Sequence, residues 1–218
     1  MEYAFHVYNK LAADGAAMAV DKLLRADMER KLTPRRYSET PSDKRRNAEF
    51  QKRFDGNLEK PPVIVCIGSD LAIGDSLGPL VGSMLKYKTQ GMHVFIYGTL
   101  AAPVTAKEIK YLRTFLKETH AGSQIVAVDA AVGAEGDIGL IKLTDSPLYP
   151  GAGAQKKLGA IGDISVMGIV AEKSVANYGL LNTTRLNLVY SMSEMLSDAI
   201  ANVLWNRASA KRETFTGV

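Results

Sequence analysis

The chain has 218 residues, 46% hydrophobic and 23% charged, a globular composition that excludes wholesale disorder, collagen and coiled coil. The length suits one α/β domain burying roughly 70% of its unfolded surface, so stability requires neither disulfides nor a structural metal. The net charge of +4 is local, since residues 29–53 carry nine Lys/Arg against four Asp/Glu and the remainder is about neutral.

A nucleic-acid protein spreads a basic stripe across its folded domain, so this single run reads as a solvated arm and no nucleic-acid partner is expected. The lone Cys66 forms no intramolecular bridge and points to a reducing, cytoplasmic compartment. No apolar run approaches the roughly 18 residues that cross a bilayer, and MEYAFHVYNK lacks the basic start and apolar core of a signal peptide. No membrane partner is expected.

In chain order, Met18, Leu23, Leu24 and Met28 predict a helix over about Asp14 to Lys31. TPRRYSETPSDKRRN follows as a loop, and Asn47–Phe54 reads as a short helix docking through Phe50 and Phe54. The chain divides near Pro61 and Pro62: residues 1–60 form a helical, basic extension, 61–208 the α/β domain, and 209–218 a flexible tail.

After the division, PVIVCIG, HVFIYG and QIVAVDAAVG are short β-branched runs ending in glycine, the pattern of strands buried on both faces. Helices are predicted between them over Ser76–Lys88, with Pro79 in the first turn, and over Thr105–His120. The latter opens on Thr105-Ala-Lys-Glu108, the spacing of a capping box. Such alternation predicts parallel strands joined by crossovers. DIGLIKL and DISVMGIVA are two further strands, separated by the glycine-rich stretch 147–162. A last helix over about Thr184–Asn206 carries Leu186, Val189, Met192, Leu196, Ile200, Val203 and Leu204 toward one sheet face.

Ligands of an open parallel sheet gather beyond the carboxyl ends of its strands. Three loops lie there: GSDLAIGDSLGP, YGTLAAP and DAAVGAEGD. The first matches neither GxGxxG nor GxxxxGK[ST], and Asp70 and Asp75 would repel a phosphate, so nucleotide binding is a weak reading. Asp75 stands where a helix N-cap would, a role worth about 1 kcal/mol. Asp129 ends an apolar strand, where a carboxylate is costly to bury without partners.

If the PVIVCIG and QIVAVDAAVG strands are neighbours, Asp75 and Asp129 face one crevice. Two close carboxylates do not both ionise cheaply, so one keeps a proton near neutrality. The charged member can then activate water while the other polarises a scissile carbonyl. The same pair can instead hold a divalent metal, although a transition metal favours a nearby His. His6, His93 and His120 fall away from this edge, Cys66 lies inside a strand, Ser69 and Ser76 have no His partner, and no GxSxG is present. No metal site or cofactor is expected.

CIGSDLAIGDSLGPLVG, IYGTLAAP, IVAVDAAVG, LYPGAGAQKKLGAIGDISVMGIV and LLNTTRLNLVYSM, taken in order, resemble the YyaC family of spore proteases in endospore-forming bacteria. That family is distantly similar to the germination protease and to the hydrogenase maturation proteases. The resemblance implies a phosphorylase/hydrolase-like three-layer α/β/α fold with a mostly parallel sheet. It equates GDSLGP with the germination protease's Asp-x-Leu-Gly-Pro, placing one catalytic aspartate at Asp75, and AVDA with its Ile-Asp-Ala, placing the second at Asp129. Hydrogenase maturation proteases usually carry Glu at the first position and a later His, absent here, and Thr105 stands where a His is expected.

The resulting expectation is an aspartate-dependent endopeptidase of sporulation or germination, with a protein or peptide substrate and Gly98 and Thr99 lining the cleft. The alternative is a non-catalytic peptide- or partner-binding protein of the same fold. Asp70, Asp163, Asn182 and Arg185 are explained as well by loop and helix capping. A homo-oligomer is left open. A latent form, with the arm before Pro62 in the cleft, is a third reading.

Overall fold

The computed structural model of the protein describes residues 1–32, 60–151, 158–173, 181 and 184–216. Its strands are β1 (Glu2–His6), β2 (Val63–Cys66), β3 (Phe95–Tyr97), β4 (Ile125–Gly133), β5 (Leu140–Thr144) and β6 (Ile164–Glu172). The helices are α1 (Ala12–Leu32), α2 (Leu77–Lys88), α3 (Ile109–Thr119) and α4 (Leu186–Thr216). One six-stranded sheet has the order β1-β5-β6-β4-β2-β3. β3, β2, β4 and β6 run parallel; β5 is added antiparallel to β6, and β1 antiparallel to β5, so that β5 alone is reversed.

Alternation along the central strands builds two cores. Ile64, Cys66, Val126, Val128 and Val166 point into the larger one, shared with α1, α2 and α4. Val63, Val65, Ile67 and Ala127 point the other way, toward Ile109, Leu112 and Leu116 of α3. The result is the expected three-layer α/β/α arrangement. The helix expected from Thr105 begins only at Ile109 and has no side-chain cap of its own; Thr105 and Glu108 instead close the turn before it, where the Glu108 carboxylate accepts the Thr105 amide at 2.9 Å and the Thr105 hydroxyl accepts the Lys107 amide at 3.3 Å. Among the described residues no helix is long and apolar enough to cross a membrane.

The division expected at Pro61 is corrected at the N-terminus. Residues 2–6 pair along β5, from Glu2 opposite Thr144 to His6 opposite Leu140. Val20, Leu23 and Leu24 of α1 are fully buried in the main core. The first 32 residues therefore belong to the α/β domain rather than to an extension. α4 is also longer than predicted, continuing to Thr216 through the stretch read as a tail. The short helix predicted over Asn47–Phe54 lies outside the described residues.

Candidate active site

The connection from β2 to α2 brings backbone onto backbone. Gly68 has φ +140°, and a Cβ there would collide with the Asp75 carbonyl, which accepts the Ser69 amide at 3.0 Å. A Cβ at Gly78 would strike the Ile67 carbonyl, and one at Gly82 the Gly98 carbonyl. α2 thus rests directly on the end of β2 and on the chain leaving β3. The glycines of GSDLAIGDSLGPLVG serve helix–sheet contact, a demand as strict as that of any phosphate loop.

Asp75 lies in the single 3-10 turn Gly74–Ser76 that precedes α2. No side chain caps either this turn or α2, so the Asp75 carboxylate is not the N-cap that its position suggests. The Ser76 hydroxyl donates to the Ile73 carbonyl at 2.6 Å, closing the turn on itself. Asp75 is half-buried. Burial pushes its pKa from 3.8 up to about 6, with a hydrogen bond from Ser69 pulling part of the way back.

Asp129 owes its place to a mismatch in strand length. β2 pairs with β4 only as far as Cys66 opposite Val128, extended by the Ile67 amide donating to the Val128 carbonyl at 2.7 Å. β4 continues to Gly133 along β6. Strand geometry turns the Val128 carbonyl and the Ala130 amide toward the same neighbour. With β2 already gone, the Ala130 amide donates instead to Asp129 Oδ1 at 2.9 Å. The carboxyl occupies the gap where β2 leaves the sheet, beside the Gly74–Ser76 turn that packs against β4.

Burial first, and then the charge of Asp75, hold the Asp129 pKa well above the ordinary carboxylate range; the Ala130 amide opposes them. The two aspartates therefore share one electrostatic environment. Asp75 loses its proton first, and its charge keeps the proton on Asp129. Two carboxyl groups so coupled favour holding one proton between them.

The other candidates read from the sequence have these surroundings. Gly98, φ +88°, meets the Cys66 carbonyl, and Thr99 closes a tight loop by exchanging main-chain bonds of 3.1 Å with Ala102. The Thr99 hydroxyl accepts the Ala102 amide at 3.2 Å. Asp70 is exposed. Asp163 is at the opposite sheet edge, where its carboxylate takes the Ile125 amide at 2.9 Å and the Lys31 ammonium at 2.7 Å. Arg185 starts α4 through its carbonyl, which accepts the Leu188 amide at 3.0 Å. Asn182 lies outside the described residues. His6 bonds the Ile138 carbonyl, the His93 ring lies tilted 5.8 Å from that of Phe95, and His120 bonds the Tyr97 hydroxyl. Cys66 is fully buried, which pushes its thiol pKa upward and leaves it a core residue.

Sequence reasoning passed over two exposed apolar residues close to Asp75 in the chain. Leu71 is 91% exposed and Ile73 37% exposed, on the same loop as Asp75. The only hint of them in the sequence was LAI standing between polar and glycine residues. Among the described residues no three His, Cys, Asp or Glu side chains are placed to hold a metal ion.

The chain is 42% identical over 142 residues to an uncharacterized protein, YyaC, of Bacillus subtilis (strain 168), covering 65% of this chain and 69% of that one. Among solved structures it is similar to the [NiFe] hydrogenase maturation protease HycI from Thermococcus kodakarensis KOD1. That likeness has a TM-score of 0.44 and 20% identity, over 72% of this chain and 98% of the other. Residues 38–199 match the family described as a protein of unknown function, DUF1256, and with that span covering most of its length the chain belongs to this family.

Proposed function

We propose that the protein is an aspartate-dependent endopeptidase whose reaction is run by Asp75 and Asp129. The observation carrying this reading is the pair itself: two half-buried carboxyl groups at the carboxyl edge of a parallel sheet, with the charge of one raising the pKa of the other. The Asp75 carboxylate takes a proton from water as the water oxygen bonds to the scissile carbonyl carbon. Asp129, still protonated, donates a hydrogen bond to the carbonyl oxygen as negative charge develops there. The C–N bond then breaks as the leaving nitrogen receives the proton held by Asp75. Leu71 and Ile73 supply apolar contact for side chains flanking the bond.

The resemblance to spore proteases supports substrates among the proteins of sporulation or germination, and a site of action in the cytoplasm of the forespore or mother cell. The test is a comparison of new N-termini generated in forespore extracts by the purified full chain and by its Asp75→Asn and Asp129→Asn variants. Wild type is expected to produce a defined set, and either variant to lose at least about a hundredfold in rate, as expected when a general acid–base group is removed. The rate should rise with pH through about 6 as Asp75 ionises. Products unchanged in either variant overturn the proposal. Saturable polypeptide binding without any cleavage would assign the crevice to a binding protein instead.

A further inference from the structure

A cavity of about 400 Å³ opens at the edge of the sheet opposite the carboxylate pair, where α3 ends and β4 begins. Arg113 and Lys117, one turn apart on α3, stand in its wall beside the buried His120. Leu116, Ile125 and Ile161 form its apolar floor. No carboxylate lines it among the described residues, and neither Arg113 nor Lys117 has an ion-pair partner among them.

Two features separate this place from an ordinary solvated helix face. Carbonyls at a helix end repel an anion, but three near this mouth are already engaged. The Lys60 ammonium bonds the Ala121 carbonyl, the Lys31 ammonium bonds the Ser123 carbonyl at 3.0 Å, and the Thr119 hydroxyl donates to the Phe115 carbonyl at 2.6 Å. Asp163, next to Gly162 of the wall, is held by Lys31 and the Ile125 amide. The guanidinium is also seated: Gly159, φ +82°, leaves open the space that Arg113 fills, and a Cβ there would collide with it. His120 adds a neutral wall, since its Nε2 is bonded to the Tyr97 hydroxyl at 2.7 Å and burial lowers its pKa.

We infer that this cavity binds a small molecule with a phosphate monoester head and an apolar or planar body. The Arg113 guanidinium forks onto two phosphate oxygens and the Lys117 ammonium balances the second negative charge. Leu116, Ile125 and Ile161 receive the body, as in the mostly apolar sites that small ligands occupy. The site is independent of the carboxylate pair, since Ile125 precedes Asp129 by four strand residues, about 13 Å.

Calorimetric titration of the full chain tests this with three probes: phenyl phosphate, inorganic phosphate and benzoate. Phenyl phosphate is expected to bind saturably, at least about tenfold tighter than either other probe, because only it satisfies both cations and the floor. Arg113→Gln and Lys117→Gln should each weaken it at least about tenfold, and Arg113→Lys, which keeps the charge without the fork, should weaken it measurably. Asp75→Asn should leave it unchanged, so failure here and failure of the peptidase reading are separate events. Absence of saturable phenyl phosphate binding up to about 10 mM, or equal binding by wild type and the folded Arg113→Lys and Lys117→Gln variants, overturns the inference.

Discussion

Replacing Asp75 by Asn tests the electrostatics of the crevice without requiring a substrate. In the folded protein the Asp75 carboxyl titrates at about 6, against 3.8 when unfolded, because burial penalises its charge. The native state therefore binds more protons than the unfolded chain between those values, and stability falls as pH rises through that window. The full difference corresponds to about 3 kcal/mol, which the partial exposure of Asp75 screens to about 1–2 kcal/mol. Asn keeps the shape and an acceptor for Ser69 but carries no charge. The variant should match wild type near pH 3.5, where both side chains are neutral, and exceed it by about 1–2 kcal/mol at pH 7.5. Urea unfolding of both proteins at several pH values measures the gap. A constant difference between them across that range would refute the assigned environment of Asp75.

Gly82 in α2 gives a reversal of sign. Gly→Ala within a helix normally gains about 1 kcal/mol, but here a Cβ would collide with the Gly98 carbonyl, so Gly82→Ala should cost about 1–3 kcal/mol in urea; a stabilised variant would contradict the packing. Asp27, only 4% exposed, accepts Lys31 at 3.1 Å and Gln124 at 3.1 Å. Asp27→Ala should therefore cost about 2 kcal/mol, and a loss within error of zero would deny that this network pins α1. Deleting residues 1–8 removes β1 and bares the β5 edge. Lower thermal stability and concentration-dependent association in size-exclusion chromatography are expected, and an equally stable, monomeric product would count against β1 as an integral strand.

Much of the architecture was legible because its signals are local. VIVC, FIY and IVAVDAAVG are β-branched runs closed by glycine, and the helix carrying Leu112 and Leu116 announces itself by spacing, although it starts four residues after the Thr105 that the capping pattern suggested. The adjacency of β2 and β4, with β3 outside, follows from a common doubly wound pattern and is found. β1 escaped because an edge strand of five residues resembles any polar-apolar leader, although Tyr3, Phe5 and Val7 alternate toward the core. The burial of α1 escaped for another reason: the charge run that follows it dominates the composition of the whole N-terminal region. Of the candidate site, residue types and edge were readable for Asp75 and Asp129. The order in which they lose protons was not, since it depends on where β2 stops pairing and on how the Gly74–Ser76 turn lies over β4. Thr99 shows the converse, a polar residue at a strand end whose hydroxyl is occupied within its own loop.

The lysine contacts at the amino edge have a consequence for how this chain can be rebuilt. Lys31 and Lys60 lie on either side of residues 33–59, yet they grip carbonyls only two positions apart, at Ser123 and Ala121. The long basic insert is thus bracketed by two neighbouring moorings. Residues 33–59 can therefore be exchanged as a cassette while both anchor points stay fastened.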